Sequence, residues 1–165
     1  MNNVGFIGTG NMGFAIMKGI SESSLKDNVK IHAFDLKSDS LQRCSDIATL
    51  CSSEKEVVEN CKYVFLAVKP QVIDGVLATI KDYVTKDTVI VSILAGITGE
   101  YIKSQTIPDA KVVLVMPNTP LLLNQGASAL SPVAPVTDEE FNFVRSIFDS
   151  CGKTAVLTAD KMKEV

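Results

Sequence analysis

A cluster of three glycines near the N-terminus, Gly8-Thr9-Gly10-Asn11-Met12-Gly13, constrains this chain more than any other feature. The apolar run Val4–Ile7 before it indicates a buried strand, and Asn11 to about Ser21 has the apolar spacing of a helix. In such a strand–turn–helix, successive glycines permit a tight turn, the approach of a pyrophosphate, and close packing of helix on strand. Glycine triplets also occur in turns that bind nothing, but this context predicts a dinucleotide-binding turn.

The rest of the chain alternates between strand-like and helical patterns. We expect further strands at Val29–Asp35, Ile47–Leu50, Tyr63–Val68, Thr88–Leu94, Lys111–Met116 and Thr154–Leu157. We expect further helices at Leu41–Cys44, Glu54–Cys61, Pro70–Val84 and from Thr137 to a stop at Gly152. Strands joined by crossover helices form a mostly parallel sheet that is covered on both faces. The pattern therefore predicts one α/β domain over residues 1–165, a doubly wound Rossmann sheet in a three-layer α/β/α arrangement.

Composition and charge argue against several other classes of protein. The net charge is -3 and there is no basic run, so we do not expect a nucleic-acid binder. No apolar stretch is long enough for a membrane span, and no cationic segment opens the chain as in a signal peptide. The single histidine, His32, and four cysteines without a Cys-x-x-Cys pair argue against a metal site. We expect reduced thiols in a cytoplasmic protein, with His32, Cys44, Cys51 and Cys61 as packing residues.

An acidic residue stands where such a fold meets the adenosine ribose. Asp35 ends the second predicted strand, 22 residues beyond Gly13. A carboxylate there can accept the ribose hydroxyls of NAD and would repel the 2′-phosphate of NADP. Lys37 and Ser38 follow closely and can instead hold that phosphate. This segment alone therefore leaves the choice between NAD and NADP open.

Two further polar segments follow predicted strands. Ala67-Val68-Lys69-Pro70-Gln71 comes after an apolar strand, and Lys69 there either reaches ribose or phosphate oxygens or is simply solvated. In Met116-Pro117-Asn118-Thr119-Pro120 the two prolines fix the backbone. Asn118 and Thr119 then offer an amide and a hydroxyl to a small polar ring, unless the segment is only a rigid surface turn.

Four segments together resemble the pyrroline-5-carboxylate reductase family: Gly8–Gly13, Phe65–Gln71, Ser92–Ile97 and Met116–Pro120. The first is shared with most dinucleotide enzymes, whereas the last two are specific to the family. The resemblance covers the chain from end to end. It implies an oxidoreductase that reduces the cyclic imine 1-pyrroline-5-carboxylate to proline with NADPH or NADH.

The resemblance also assigns roles to residues. It implies that the glycine loop holds the pyrophosphate, that Asp35 falls at the adenosine ribose, and that Asn118 lies near the reacting ring. The candidate cofactor-binding residues, from motifs and resemblance together, are Gly8, Thr9, Gly10, Asn11, Met12, Gly13, Asp35, Lys37, Ser38, Ala67, Val68, Lys69, Pro70, Ile93, Leu94, Ala95 and Asn118. None of these is a convincing proton donor, so we assign no catalytic residue within the chain.

The sequence departs from the family at several places. Leu114 stands where members often carry arginine, and Asp35 where many carry serine or asparagine. The family continues with a Ser-Gly-Ser-Gly-Pro segment and a helical domain that dimerises and completes the substrate pocket, whereas this chain ends at Val165. We therefore expect a homo-oligomer for the full-length family member. The present chain is expected to be monomeric or weakly associated, and inactive by itself.

Two alternatives remain open at this point. Rossmann dehydrogenases of the 3-hydroxyacid or 6-phosphogluconate type use a catalytic lysine in a following domain, so the residues present do not exclude them by chemistry. A non-catalytic dinucleotide-sensing module would also show a cofactor site without catalytic groups. The segments Val68–Pro70 and Met116–Pro120 favour the reductase.

Overall fold

The computed structural model describes residues 1–117 and 126–158. The strands within these ranges are β1 (Asn2–Ile7), β2 (Val29–Phe34), β3 (Thr49–Leu50), β4 (Tyr63–Leu66), β5 (Val89–Ser92), β6 (Lys111–Pro117), β7 (Gly126–Val133) and β8 (Gly152–Val156). The α-helices are α1 (Asn11–Ser21), α2 (Ser38–Gln42), α3 (Glu54–Asn60), α4 (Ile73–Ile80), α5 (Gly99–Gln105) and α6 (Asp138–Asp149). None of these helices is both long enough and apolar enough to cross a membrane.

The strands form one sheet in the order β3-β2-β1-β4-β5-β6-β7-β8. All neighbours from β3 to β6 are parallel, β7 runs antiparallel to β6, and β8 is parallel to β7. After β1 the chain builds outward through β2 and β3, then returns to place β4 on the other side of β1. This reversal of direction confirms the predicted doubly wound, mostly parallel sheet, and it locates the switch point between β1 and β4.

Two apolar cores cover the two faces of the sheet. Strand side chains alternate between them, so that Phe6 of β1 joins the core under α1 and α6 while Ile7 joins the core under α3, α4 and α5. The Phe6 ring stacks on the Phe65 ring of β4 with their centroids 4.6 Å apart. The centroids of the Phe65 ring and the Phe148 ring of α6 are 5.9 Å apart. The predicted three-layer arrangement is therefore present, with β1 and β4 at its centre.

Several predicted boundaries were wrong. The second strand ends at Phe34, one residue before the predicted end at Asp35, because the Asp35 carboxylate binds backbone N–H groups in the turn that follows. The short helix predicted at Leu41–Cys44 is instead α2, which begins at Ser38 and ends at Gln42. The helix predicted over Pro70–Val84 is divided into a 3-10 turn, α4 and a second 3-10 turn, whose bounds are Pro70–Val72, Ile73–Ile80 and Lys81–Tyr83.

One α-helix and one strand were not predicted at all. The helix α5 spans seven residues and buries only Gly99 and Ile102, so it shows too few apolar positions for a recognisable period. Its start is fixed by Thr98, whose side chain accepts a hydrogen bond from the Tyr101 N–H at 3.1 Å. The strand β7 includes two serines and a proline, and it is held by its antiparallel pairing with β6.

A buried carboxylate joins three elements at the amino ends of the strands. Glu140 of α6 is only 4% exposed and forms ion pairs with Lys62 at 3.0 Å and Lys111 at 2.9 Å. It also closes a capping box with Thr137, the residue before α6. Burial by itself would raise the pKa of Glu140, but the hydrogen bonds from the Thr137 N–H and from the two ammonium groups lower it to about 2.

We expect Glu140→Gln to destabilise the protein in a pH-dependent way. The pKa of Glu140 in the folded state lies below its ordinary value of 4.5, so the ionised carboxylate stabilises the fold above that pH, and the contribution is lost as the pH falls towards 2. The difference in free energy of unfolding should be on the order of 3 kcal/mol at neutral pH and should shrink towards zero near the folded pKa.

Urea unfolding of wild type and variant across this pH range measures the effect. Glu139→Gln is the matched control, because Glu139 precedes Glu140 in the same helix but is exposed. If the loss of unfolding free energy in Glu140→Gln did not change with pH, the stabilising role of the ionised Glu140 carboxylate would be contradicted.

Candidate cofactor-binding site

Backbone hydrogen bonds align the carboxyl ends of the central strands. The Gly8 N–H donates to the Phe34 carbonyl at 2.9 Å, and the Ala67 N–H donates to the Ile7 carbonyl at 2.8 Å. The turn after β1 is thereby tied to the end of β2 on one side and to the end of β4 on the other. The resulting crevice lies at the switch point of the sheet, where open α/β sheets bind their ligands.

The first and third glycines of the loop are required by packing. Gly8 has a φ of +102°, and a Cβ at this position would lie 2.5 Å from the Ala67 carbonyl oxygen. A Cβ at Gly13 would lie 2.6 Å from the Gly8 carbonyl oxygen. Any side chain at either position would therefore push α1 or the loop away from β4.

The second glycine faces open space. A Cβ at Gly10 would meet no atom within 4 Å, and the residue is exposed. Packing therefore does not require a glycine at position 10, in contrast to positions 8 and 13. The absent side chain leaves room for a group that approaches the backbone, and the contact of a pyrophosphate with this residue remains a prediction.

The start of α1 lacks the caps that most other helices of this fold have. Ser53, Thr98 and Thr137 cap α3, α5 and α6 through their hydroxyls, whereas Gly10 precedes α1 with no side-chain cap. The first turn of α1 also holds no acidic residue. The first N–H groups and the positive end of the helix dipole are therefore available to an anion.

Asp35 has a structural role that sequence reasoning missed. Its Oδ2 accepts hydrogen bonds from the Thr9 N–H at 2.8 Å and from the Thr9 hydroxyl at 3.0 Å, and its Oδ1 accepts from the Lys37 N–H at 2.8 Å. Thr9 is fully buried, so these bonds fix the glycine loop from below. Oδ1 keeps acceptor capacity for a ribose hydroxyl, and the predicted ribose contact therefore remains a prediction.

Arg43 is a second residue at this loop that the sequence did not point out. Its Nη2 donates to the Thr9 carbonyl at 2.9 Å, and its guanidinium carbon lies 4.3 Å from the centroid of the Phe14 ring. Because no motif surrounds Arg43, only the fold could bring it to residue 9. The apolar side chain of Leu36, the residue after Asp35, is 85% exposed.

The other predicted residues follow β4 and β5 or lie at the starts of α1 and α2, and they are exposed to different extents. Ala67 and Val68 are half-buried after β4, whereas Lys69 and Pro70 are exposed. After β5, Leu94 is buried, Ile93 is half-buried and Ala95 is exposed. In the loop and at the start of α2, Asn11, Lys37 and Ser38 are exposed and Met12 is half-buried. Asn118 and Thr119 lie outside the described residues.

The histidine and the three cysteines named above are packing residues, as predicted. His32 is 8% exposed and its Nε2 lies 3.1 Å from Asn3 Oδ1. Burial and the nearby Lys30 charge lower the pKa of His32, so the ring is neutral at pH 7. All four cysteines are buried, and burial raises the pKa of Cys61 to about 12. Within the described ranges, no three side chains of the metal-binding types gather into a site.

Comparisons with known proteins agree with this geometry. Residues 3–96 match the family described as "NADP oxidoreductase coenzyme F420-dependent". The pyrroline-5-carboxylate reductase of Escherichia coli (strain K12) is 35% identical over 156 residues, which cover 93% of this chain and 58% of that protein.

Solved structures give the same result. A pyrroline-5-carboxylate reductase from Coxiella burnetii superposes with a TM-score of 0.91 at 27% identity, covering 99% of this chain and 61% of that one. Pyrroline carboxylate reductase from Plasmodium falciparum, solved with NADP bound, gives 0.83 at 27% identity, covering 98% and 59%. This chain thus spans about three fifths of the length of these relatives. The resemblance indicated by the sequence motifs is confirmed.

We expect Gly10→Leu to block dinucleotide binding while leaving the fold intact, because the side chain would occupy the open space above the loop. The dissociation constants of NADPH and NADH should rise by at least about tenfold. The free energy of unfolding should change by no more than about 1 kcal/mol.

Gly75→Leu is the matched control, since a Cβ at Gly75 of α4 also meets no atom within 4 Å. Its cofactor affinity should stay at the wild-type value. A folded Gly10→Leu variant that bound both dinucleotides normally would remove the loop from the site.

Proposed function

This chain belongs to the family described as "NADP oxidoreductase coenzyme F420-dependent", and we propose that it is the cofactor-binding domain of a reductase that converts 1-pyrroline-5-carboxylate to proline with NADPH or NADH. The observation that carries the proposal is the loop in which Gly8 and Gly13 are locked by packing while Gly10 faces open space. The names of the relatives support the substrate. A loop of this shape accepts a pyrophosphate without rearrangement.

The chain's own residues hold the adenosine half of the cofactor. The N–H groups from Gly10 to Gly13 and the dipole of α1 bind the pyrophosphate. Oδ1 of Asp35 accepts from a ribose hydroxyl, and Leu36 offers an apolar surface to the adenine. Because Asp35 already fixes Thr9 through two hydrogen bonds, the loop is preorganised and binding costs little conformational entropy.

Residues at the ends of β4 and β5 would hold the nicotinamide half. The bound cofactor supplies the hydride that reduces the imine carbon. Ala67 to Pro70 form one wall of the cleft, and Ile93 to Ala95 form another. Asn118 orients the reacting ring. Their contribution is to hold two rings in contact and in orientation, which is how such an active site lowers the barrier.

The remainder of a longer protein would complete the substrate pocket. The relatives are longer than this chain, which covers 58% of the Escherichia coli enzyme. We assign the proton donor and the substrate-carboxylate ligands to that remainder, and homo-oligomeric assembly to the full-length protein. The buried reduced cysteines fit a reducing compartment such as the cytoplasm.

Residues 1–165 should bind NADPH or NADH but reduce 1-pyrroline-5-carboxylate at least about tenfold more slowly than the Escherichia coli relative. They match only 58% of that relative's length, and we assign part of the pocket to the rest of it. Cofactor fluorescence titration measures the binding, and oxidation of the reduced cofactor at 340 nm measures turnover. The Gly10→Leu variant is the negative control for both measurements.

Failure to bind either cofactor would disprove the proposal. Binding together with turnover close to that of the relative would keep the reaction but place the catalytic groups within residues 1–165.

A further inference from the structure

Arg43 is fixed beside the glycine loop by two contacts from outside its own segment. It follows directly after α2 and is exposed, yet its guanidinium donates to the Thr9 carbonyl and lies over the Phe14 ring of α1. The Thr9 carbonyl is 34 residues away along the chain. A long exposed side chain held in this manner gives up conformational entropy, so its position calls for an explanation.

A local ion pair does not provide one. Asp39 precedes Arg43 by four residues, the spacing at which carboxylate and guanidinium groups pair on a helix. In the described part of the chain, however, the ion pairs within 4 Å all involve Glu140. The guanidinium of Arg43 is instead directed to the loop at the adenosine end of the crevice.

Asp35 binds other polar groups of Thr9 than Arg43 does. Two of its three hydrogen bonds come from Thr9, through the N–H and the hydroxyl, whereas Arg43 binds the Thr9 carbonyl. Thr9 is therefore held between a carboxylate and a guanidinium. The repulsion that Asp35 would exert on a nearby anion is opposed by a fixed positive charge.

The chemistry of this group matches a phosphate monoester. A guanidinium carries five N–H donors in a planar fork that suits phosphate oxygens, and here one of its nitrogens is bound to the Thr9 carbonyl. The exposed Lys37 and Ser38 lie nearby in sequence, at the start of α2. We propose that Arg43 determines cofactor specificity by binding the 2′-phosphate of NADPH, so that the domain prefers NADPH to NADH. This inference rests on the proposed cofactor-binding function.

The test compares two cofactors in matched variants. Dissociation constants for NADPH and NADH are measured on the whole chain, together with those of 2′,5′-ADP and 5′-AMP, which differ only in the 2′-phosphate. Arg43→Gln keeps a donor for the Thr9 carbonyl but removes the charge and the fork. The variant should bind NADPH and 2′,5′-ADP about tenfold or more weakly than the wild type, since hydrogen bonds between charged groups are the stronger kind. Its dissociation constants for NADH and 5′-AMP should change by less than about twofold.

Two controls separate local recognition from other effects. Arg145→Gln makes the same change in α6, where the side chain donates to Thr154 Oγ1 at 3.0 Å, and it should leave the ratio of NADPH to NADH affinity unchanged. Arg43→Lys keeps the charge without the planar fork and should retain an intermediate preference for NADPH. Thermal unfolding verifies that each variant is folded.

Three results would overturn the inference. One is a wild type that binds NADH at least as tightly as NADPH. Another is an equal loss of affinity for both cofactors in Arg43→Gln, which would mean that Arg43 only holds the loop in place. The third is an unchanged preference for NADPH in that variant, which would leave the phosphate to Lys37 and Ser38. A wild type that binds neither cofactor nor nucleotide would instead disprove the proposed function itself.

Discussion

The contact between the glycine loop and the end of β4 governs the rest of this structure. Because a Cβ at Gly8 would lie 2.5 Å from the Ala67 carbonyl oxygen, and one at Gly13 would lie 2.6 Å from the Gly8 carbonyl oxygen, loop, helix and strand can meet only where both side chains are absent. That contact lets the loop lie against the end of β4 and places the uncapped start of α1 beside the switch point. Gly10 lies on the open side of the loop, whereas the close packing involves Gly8 and Gly13.

Thr9 connects this packing to the residues that we propose select the cofactor. Its N–H and hydroxyl bind Asp35, and its carbonyl binds Arg43, so the residue between two glycines is held through all three of its polar groups. The acidic residue at the end of β2 is therefore a clamp on the loop as well as a candidate ribose ligand. A substitution at Asp35 would change loop geometry and electrostatics together. Substitutions at Arg43, which lies on the exposed side, separate these two effects better.

The buried ion pairs of Glu140 and the proposed binding site lie at opposite ends of the sheet. The buried Glu140, paired with Lys62 before β4 and Lys111 at the start of β6, joins the amino ends of the strands to α6. The glycine loop and the segments after β4 and β5 lie at the carboxyl ends. Hydrogen bonds at the amino ends of the strands lower the pKa of Glu140, and its charge stabilises the fold there.

The sequence by itself determined the elements whose signal is local. Apolar period, capping and stereochemistry within a few residues determine the bounds of α1, the apolar centres of β1, β4 and β5, and the start of α6 at its acidic first turn. They also determine the need for glycine at position 8. Only the tertiary structure decided the antiparallel β7, whose pairing with β6 replaces an apolar period, and the short helix α5. The tertiary structure also decided that Asp35 and Arg43 bind Thr9. These hydrogen bonds span 26 and 34 residues and depend on the order of the strands, which no local pattern encodes.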